Sequence, residues 1–245
     1  MIASFDLEIW KQLPDDSIKN WQEHAPIGVS LAGFGCDFGM NKVFKAEPTR
    51  AMERWQLDEI LDGMLEMQKA GTLFCTWNGA SFDFRLMAIE TGRFEDCSKL
   101  ALAHCDLMLI AVWGKGWMVG LDKALRAHGL EGKVDEVKLN DGTRFKEMNG
   151  GHVPRLWQAG EIDACMEYFH RDLRAEYEIA HAVQKTKRLH FLNKAMTNTH
   201  TVYVEKLWTV GEILNGAMGE FPDTSWQDKP ITPEQFTGWI KRNDL

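Results

Sequence analysis

Residues 2–10, Ile2-Ala3-Ser4-Phe5-Asp6-Leu7-Glu8-Ile9-Trp10, form an apolar run broken by two acids spaced two apart. The β-branched and aromatic content reads as a strand, in which alternate residues share a face. Asp6 and Glu8 then project together, while Phe5, Leu7 and Ile9 face the other way. Carboxylates side by side repel unless a cation or strong donors hold them. For this segment alone the competing reading is the solvent-facing edge of a strand.

The rest of the chain follows from that first strand. Residues 27–34 (IGVSLAGF) read as a second strand and residues 42–46 as a short third. A helix is expected from about Ala51 to Ala70, stopping at Gly71. Residues 72–77 (TLFCTW) read as a short strand, Asn78-Gly79 as a turn, and Ser81 as the cap of a helix reaching Thr91. A short strand is expected near Cys105–Leu107 and a helix over Leu121–His128. Asn140-Asp141-Gly142 between two β-prone triplets signals a hairpin. The longest helix is expected from about Ala159 to Lys187. Strands first, then strands alternating with helices, give an α/β fold with a mixed sheet flanked by helices.

The chain has 245 residues, suiting one large domain or a domain with an appendage. Its 44% hydrophobic content allows a real core. No stretch is long and apolar enough to cross a bilayer, and no secretory signal is expected. The five cysteines are widely spread with no C-x-x-C pair, which fits a reducing, cytoplasmic setting. Cys97, His104 and Cys105 suggest a zinc cluster only weakly, since a fourth ligand is missing. The net charge of −8 argues against holding duplex nucleic acid mainly by phosphate neutralisation. Carboxylates reserved for metals add to that count, however, and a nucleic-acid enzyme remains compatible with it. Arg171, Arg174, Lys185, Lys187, Arg188 and Lys194 read equally well as a solvated helix face or a phosphate track.

Two further acids stand out. Asp83 lies in the first turn of a helix that follows a strand, a junction where α/β sites gather; there it also suits the helix dipole. Tyr168 and Asp172 are four apart on the longest helix and share a face. The order Asp-x-Glu on a strand, Asn-x-x-x-Phe-Asp at a junction and Tyr-x-x-x-Asp on a helix is more specific than any of its parts.

With these residues, the sequence resembles the DnaQ-like 3′–5′ exonucleases of the ribonuclease-H-like superfamily. Within that family it looks most like the subgroup of DEDD type with a tyrosine in the third motif. The motifs are Phe5-Asp6-Leu7-Glu8, Asn78-Gly79-Ala80-Ser81-Phe82-Asp83 and Tyr168-Phe169-His170-Arg171-Asp172. The histidine subgroup would carry His where Glu167 stands. The resemblance implies a ribonuclease-H-like five-stranded sheet in an exonuclease domain over residues 1–187, with residues 188–245 as an extension of unknown role. It implies that Asp6, Glu8, Asp83 and Asp172 hold two ions of Mg²⁺ or Mn²⁺, and that Tyr168 orients the attacking water. Leu7, Ile9, Trp10, Asn78 and Phe82 are then expected at the terminal nucleotide. The expected partner is nucleic acid with a free 3′ end, single-stranded DNA above all. Trimming of RNA and a catalytically dead binding module are the rival readings.

Overall fold

The computed structural model describes residues 1–14, 17–36, 42–133 and 135–240. Five strands build the main sheet: β1 (Ile2–Ile9), β2 (Val29–Gly35), β3 (Lys42–Lys45), β4 (Leu73–Thr76) and β5 (Cys105–Asp106). Their order is β3-β2-β1-β4-β5, with β1–β2 and β2–β3 antiparallel and β1–β4 and β4–β5 parallel. The expected strand at residues 2–10 is thus the centre of the sheet. It is buried on both faces, so the solvent-edge reading of Asp6 and Glu8 does not hold. This mixed five-stranded order, flanked by helices, is the ribonuclease-H-like arrangement the motifs implied.

One face is aromatic. Phe5 packs on Phe34 and on Phe84, with ring centroids 5.8 and 5.4 Å apart. The helices α1 (Arg54–Lys69), α2 (Asp83–Thr91) and α3 (Phe94–Ala103) contribute Leu57, Ile60, Phe84, Leu86 and Leu100 to that core. Downstream lie α4 (Leu107–Lys115), α5 (Leu121–Ala127), the hairpin β6 (Glu136–Lys138) and β7 (Arg144–Lys146), α6 (Val153–Gln158), and the 25-residue α7 (Ile162–Thr186). A second apolar cluster gathers Leu31, Val137, Trp157, Phe169 and Leu173 beneath the first half of α7. The second half of α7, with Ile179 and Val183, belongs to the first cluster. Asp172 stands near the seam between the two.

How closely α7 approaches the sheet is written into two small residues. Gly33 pairs with Asp6 across β1–β2. A Cβ there would lie 3.1 Å from the Phe169 ring and 3.3 Å from Leu173. The Ser4 hydroxyl donates to the Leu173 carbonyl at 2.7 Å. A larger residue at either place would lift the helix and separate Asp172 from Asp6.

Beyond α7 come β8 (Arg188–Leu192) paired with β9 (Thr199–Tyr203), then α8 (Val210–Leu214) and α9 (Pro233–Thr237). Leu189, Phe191, Val202, Val210, Ile213 and Phe236 are buried in the same cluster as Phe5. The Trp239 indole donates to Ala80 O at 2.7 Å, tying this stretch to the turn that precedes α2. Residues 241–245 of the expected extension lie outside the described residues. No helix among the described residues is long and apolar enough to cross a membrane.

Three expectations need correction. Ser81 does not cap α2: Phe82 holds that place, and the Ser81 hydroxyl instead donates to Asn78 Oδ1 at 2.6 Å inside the turn. Residues 94–103 and 107–115 are helices, and the strand expected near Cys105–Leu107 is confined to Cys105–Asp106. Cys97, His104 and Cys105 form no metal cluster: His104 Nδ1 lies 2.7 Å from Ala101 O, and the only group of three or more possible ligands among the described residues is elsewhere.

Candidate metal centre

Asp6, Glu8 and Asp172 each offer an oxygen within 4.8 Å of the others. The strand register supplies the first two and the seated helix α7 supplies the third. Asp83 and Glu176 lie just outside this trio. Asp83 Oδ1 accepts from the Leu7 amide at 3.2 Å, which fixes it behind the β1 backbone and within the field of Asp6. Glu176, one turn beyond Asp172, accepts from the Trp77 amide at 3.0 Å.

The turn between β4 and α2 is built by Asp106, the N-cap of α4. Its carboxylate accepts from the amides of Asn78, Ala80 and Leu109 at 2.9–3.0 Å. That clamp sets where Asn78 and Asp83 point. Asp106 was not singled out by its sequence context, although an acid ahead of an apolar run is a capping signal.

Acids gathered this closely and withdrawn from water are a costly arrangement. Burial, then the Asp172 charge, pushes the Asp6 carboxyl up to about 7. Burial and then Asp6 hold Glu8 and Asp83 well above the usual carboxylate range. Among the described residues, Lys133 supplies a cation to the site: its Nζ sits 2.6 Å from Asp172 Oδ2 and 5.3 Å from the centre of the Tyr168 ring. Burial works against that ammonium, but the Asp172 carboxylate outweighs it and raises its pKa. A lone lysine in a polar loop gives no spacing signal, and the sequence reading did not find it. Despite Lys133, Asp172 Oδ1 and Glu176 Oε2 are buried without a hydrogen-bond partner.

An all-oxygen donor set with unpaired buried oxygens suits a hard divalent cation. The residues present therefore fit a metal of the Mg²⁺ or Mn²⁺ class. A pH dependence follows. For each acid with a raised folded-state pKa, the contribution to stability is full below the unfolded value near 4 and is lost as pH rises through the folded value. The melting temperature of chelated protein should fall between pH 5 and 8, and excess Mn²⁺ should remove most of that fall. A chelated protein equally stable across that range would contradict the burial of these charges.

Beside the acids opens a cavity of about 550 Å³. Its wall carries Glu8, Ile9, Asn78, Phe82 and Lys133, together with Trp21 and the loop Asn149–His152. Glu8 and Ile9 both reach it although they are neighbours. An irregularity in register falls between them, where Ser30 is extra in β2 and its hydroxyl donates to the carbonyls of both at 3.1 and 2.9 Å. The loop closes tightly, since a Cβ at Gly150 would lie 3.3 Å from Glu8 Oε2. Trp21 meets Phe82 edge-on at 5.2 Å.

No family model matches the sequence, and no curated protein matches it. Solved structures similar to the chain include the family B DNA polymerase from the hyperthermophilic archaeon Pyrobaculum calidifontis. That likeness has a TM-score of 0.49 and 15% identity over 74% of this chain and 24% of the polymerase. Exonuclease I in complex with the inhibitor BCBP gives a TM-score of 0.34 and 11% identity, covering 76% of this chain and 41% of that one. Apo exonuclease I gives 0.33 and 12%, covering 75% and 42%. At such identities the functional reading rests on the residues of the site.

The structure brings Asp6, Glu8 and Asp172 into one group and sets Asp83 against the strand that carries the first two. Tyr168 is 1% exposed, under Lys133 and on the Asp172 face of α7. Burial, then Asp172, pushes its phenol further up, so it stays protonated. Ile9, Asn78 and Phe82 face the cavity. Leu7 is 3% exposed in the core and meets the site only through its amide. Trp10 is half-buried beside the second cluster, and its carbonyl accepts from Gln158. Trp77 is anchored by its indole to Val119 O. Arg171 and Arg174 pair with Glu167 and Glu178 on their own helix, as a solvated face would. Trp21, Asp106, Lys133, Gly150 and Glu176 were missed. Of these, Asp106 had a capping signal and Glu176 a periodic one: Tyr168, Asp172 and Glu176 recur every four residues on one helix face.

Proposed function

We propose that the protein is a 3′–5′ exonuclease, hydrolysing the terminal phosphodiester of a nucleic acid to release 5′-mononucleotides. The observation that supports this best is the convergence of Asp6, Glu8 and Asp172, 166 residues of chain apart at the extremes, beside a cavity with aromatic walls. In this reading Asp6, Glu8, Asp83 and Asp172 hold two divalent cations, Mg²⁺ or Mn²⁺. When bound, such ions lower the pKa of water and screen the phosphate charge.

The chain's own residues do the rest. Phe82 and Trp21 offer an apolar, aromatic wall to the terminal base, and Ile9 packs against the same nucleotide. Asn78 offers an amide to the sugar or base edge. Tyr168, protonated, donates a hydrogen bond that orients the attacking water. Lys133, paired with Asp172 at 2.6 Å, would be free to meet the scissile phosphate if cations held the carboxylates. Water adds its oxygen to phosphorus and gives up a proton to solvent, the bond from phosphorus to the preceding 3′ oxygen breaks, and that oxygen takes up a proton from solvent to leave as a 3′-hydroxyl.

A cavity of about 550 Å³ with an aromatic wall is of a size to suit one splayed nucleotide, so single-stranded or frayed DNA is the expected substrate. The test is digestion of 3′- and 5′-labelled DNA and RNA oligonucleotides, single-stranded and blunt, with Mg²⁺ or Mn²⁺. Stepwise shortening of single-stranded DNA from the 3′ end is expected. Faster cutting of blunt duplex would overturn the strand preference, faster cutting of RNA the choice of sugar, and no shortening of any strand the activity itself.

A further inference from the structure

The proposed cation centre has four expected carboxylates. Glu176 is a fifth, and its surroundings ask for an explanation. It is 5% exposed and lies one helical turn beyond Asp172, and after burial the charges of Asp6, Asp83 and Asp172 act on it most strongly. One oxygen accepts the Trp77 amide; the other, Oε2, has no partner. A structural role alone would be served better by glutamine. Its amide oxygen would accept the same Trp77 hydrogen while bringing no charge into a region crowded with three acids. A buried carboxylate with one oxygen unpaired is tolerated where something positive meets it. Lys133 already engages Asp172 on the other side of the site.

We infer that Glu176 belongs to the cation centre as its fifth carboxylate, serving the ion on the Asp83 side. Resting on the metal-dependent reading above, this adds a ligand that the three motifs do not include. Asp83 is held away from the Asp6–Glu8–Asp172 trio by the Leu7 amide, so a second ion near Asp83 would otherwise find few protein oxygens. Glu176 enters from α7, bonded to the residue that follows β4, and Asp83 enters from α2, bonded to β1; both are buried. Through Trp77, Glu176 also fixes the start of the turn that carries Asn78 to the cavity. Occupancy of the ion site and placement of the nucleotide wall are thereby joined in one side chain.

The test is titration calorimetry of metal-free full-length protein with Mn²⁺ alone, comparing wild type, D172N, E176Q and E176D. Two ions are expected on wild type. E176Q should weaken one of them by about 10- to 100-fold and leave the other within about threefold. E176D, which keeps the charge but shortens the reach, should fall between. The far-UV spectrum and metal-free melting temperature of E176Q should match wild type or exceed it, because an unpaired buried charge has been removed. Two Mn²⁺ affinities in E176Q equal to wild type, with D172N impaired, would overturn the role of Glu176 while leaving the exonuclease reading intact. Should E176Q not fold, E176D with unchanged Mn²⁺ affinities would overturn it equally. Absence of Mn²⁺ binding to wild type would sink the metal reading itself.

Discussion

Replacing Asp6 with asparagine should cut turnover of a labelled oligonucleotide by about 10³-fold or more, which corresponds to roughly 4 kcal/mol of lost transition-state stabilisation. Asp6 is the acid on which the others converge: it faces Asp172 across the gap between β1 and α7, and it raises the pKa of Glu8 and Asp83. An amide keeps the shape but loses the charge that a shared cation needs. The fold should survive and the metal-free melting temperature should not fall, since the substitution relieves like-charge repulsion with Asp172. Tyr168→Phe forms the contrast. It removes one hydroxyl and no ligand, so the expected loss is about 10²-fold. Near-wild-type turnover in the Asp6 variant, measured under saturating Mg²⁺, would remove the case for metal chemistry at this site.

Truncation after Lys187 should leave a chain that does not fold cooperatively. The boundary between residues 187 and 188 follows the motifs, yet Leu189, Phe191, Val202, Val210, Ile213 and Phe236 all sit in the core that contains Phe5 and Phe84. At about 1.5–3 kcal/mol for each buried side chain, their loss totals on the order of 10 kcal/mol or more. The whole stability of a typical domain is about 5–15 kcal/mol. The cut would also bare Gly114 of α4, against which Val202 packs, and release the Trp239 hydrogen bond to the turn before α2. Circular dichroism and thermal melting of residues 1–187 test this. A cooperative melt within a few degrees of the full chain would show that the remaining residues form a separate body.

Elements that alternate or carry clear stops were legible in the sequence. The strand around Asp6 and Glu8 has period-two chemistry, α7 has a long amphipathic face, and the hairpin is marked by Asn140-Asp141-Gly142. Helix α4 was not legible because every residue from Leu107 to Trp113 is buried, so no polar face betrays its period. Helix α3 was missed because it starts within a few residues of the end of α2, with no extended loop to announce it. At the site, side chains placed by element geometry were readable: Asp6 and Glu8 by strand alternation, Asp83 by its helix start. Of those placed by turns and loops, Asn78 was readable from its motif, but most were not. Lys133 and the Asn149–His152 wall come from a polar excursion whose path depends on tertiary contacts, and Trp21 reaches the cavity from a 3₁₀ segment (Ser17–His24) with no pattern to align it.

The most direct test of the central claim is a crystal of the full chain soaked in Mn²⁺ with a 5′-mononucleotide, read by anomalous scattering. Two peaks about 4 Å apart, ringed by oxygens of Asp6, Glu8, Asp83 and Asp172 with the nucleotide in the neighbouring cavity, are the predicted result. Saturating Mn²⁺ that leaves no peak between those carboxylates, or that binds only elsewhere on the surface, would contradict it.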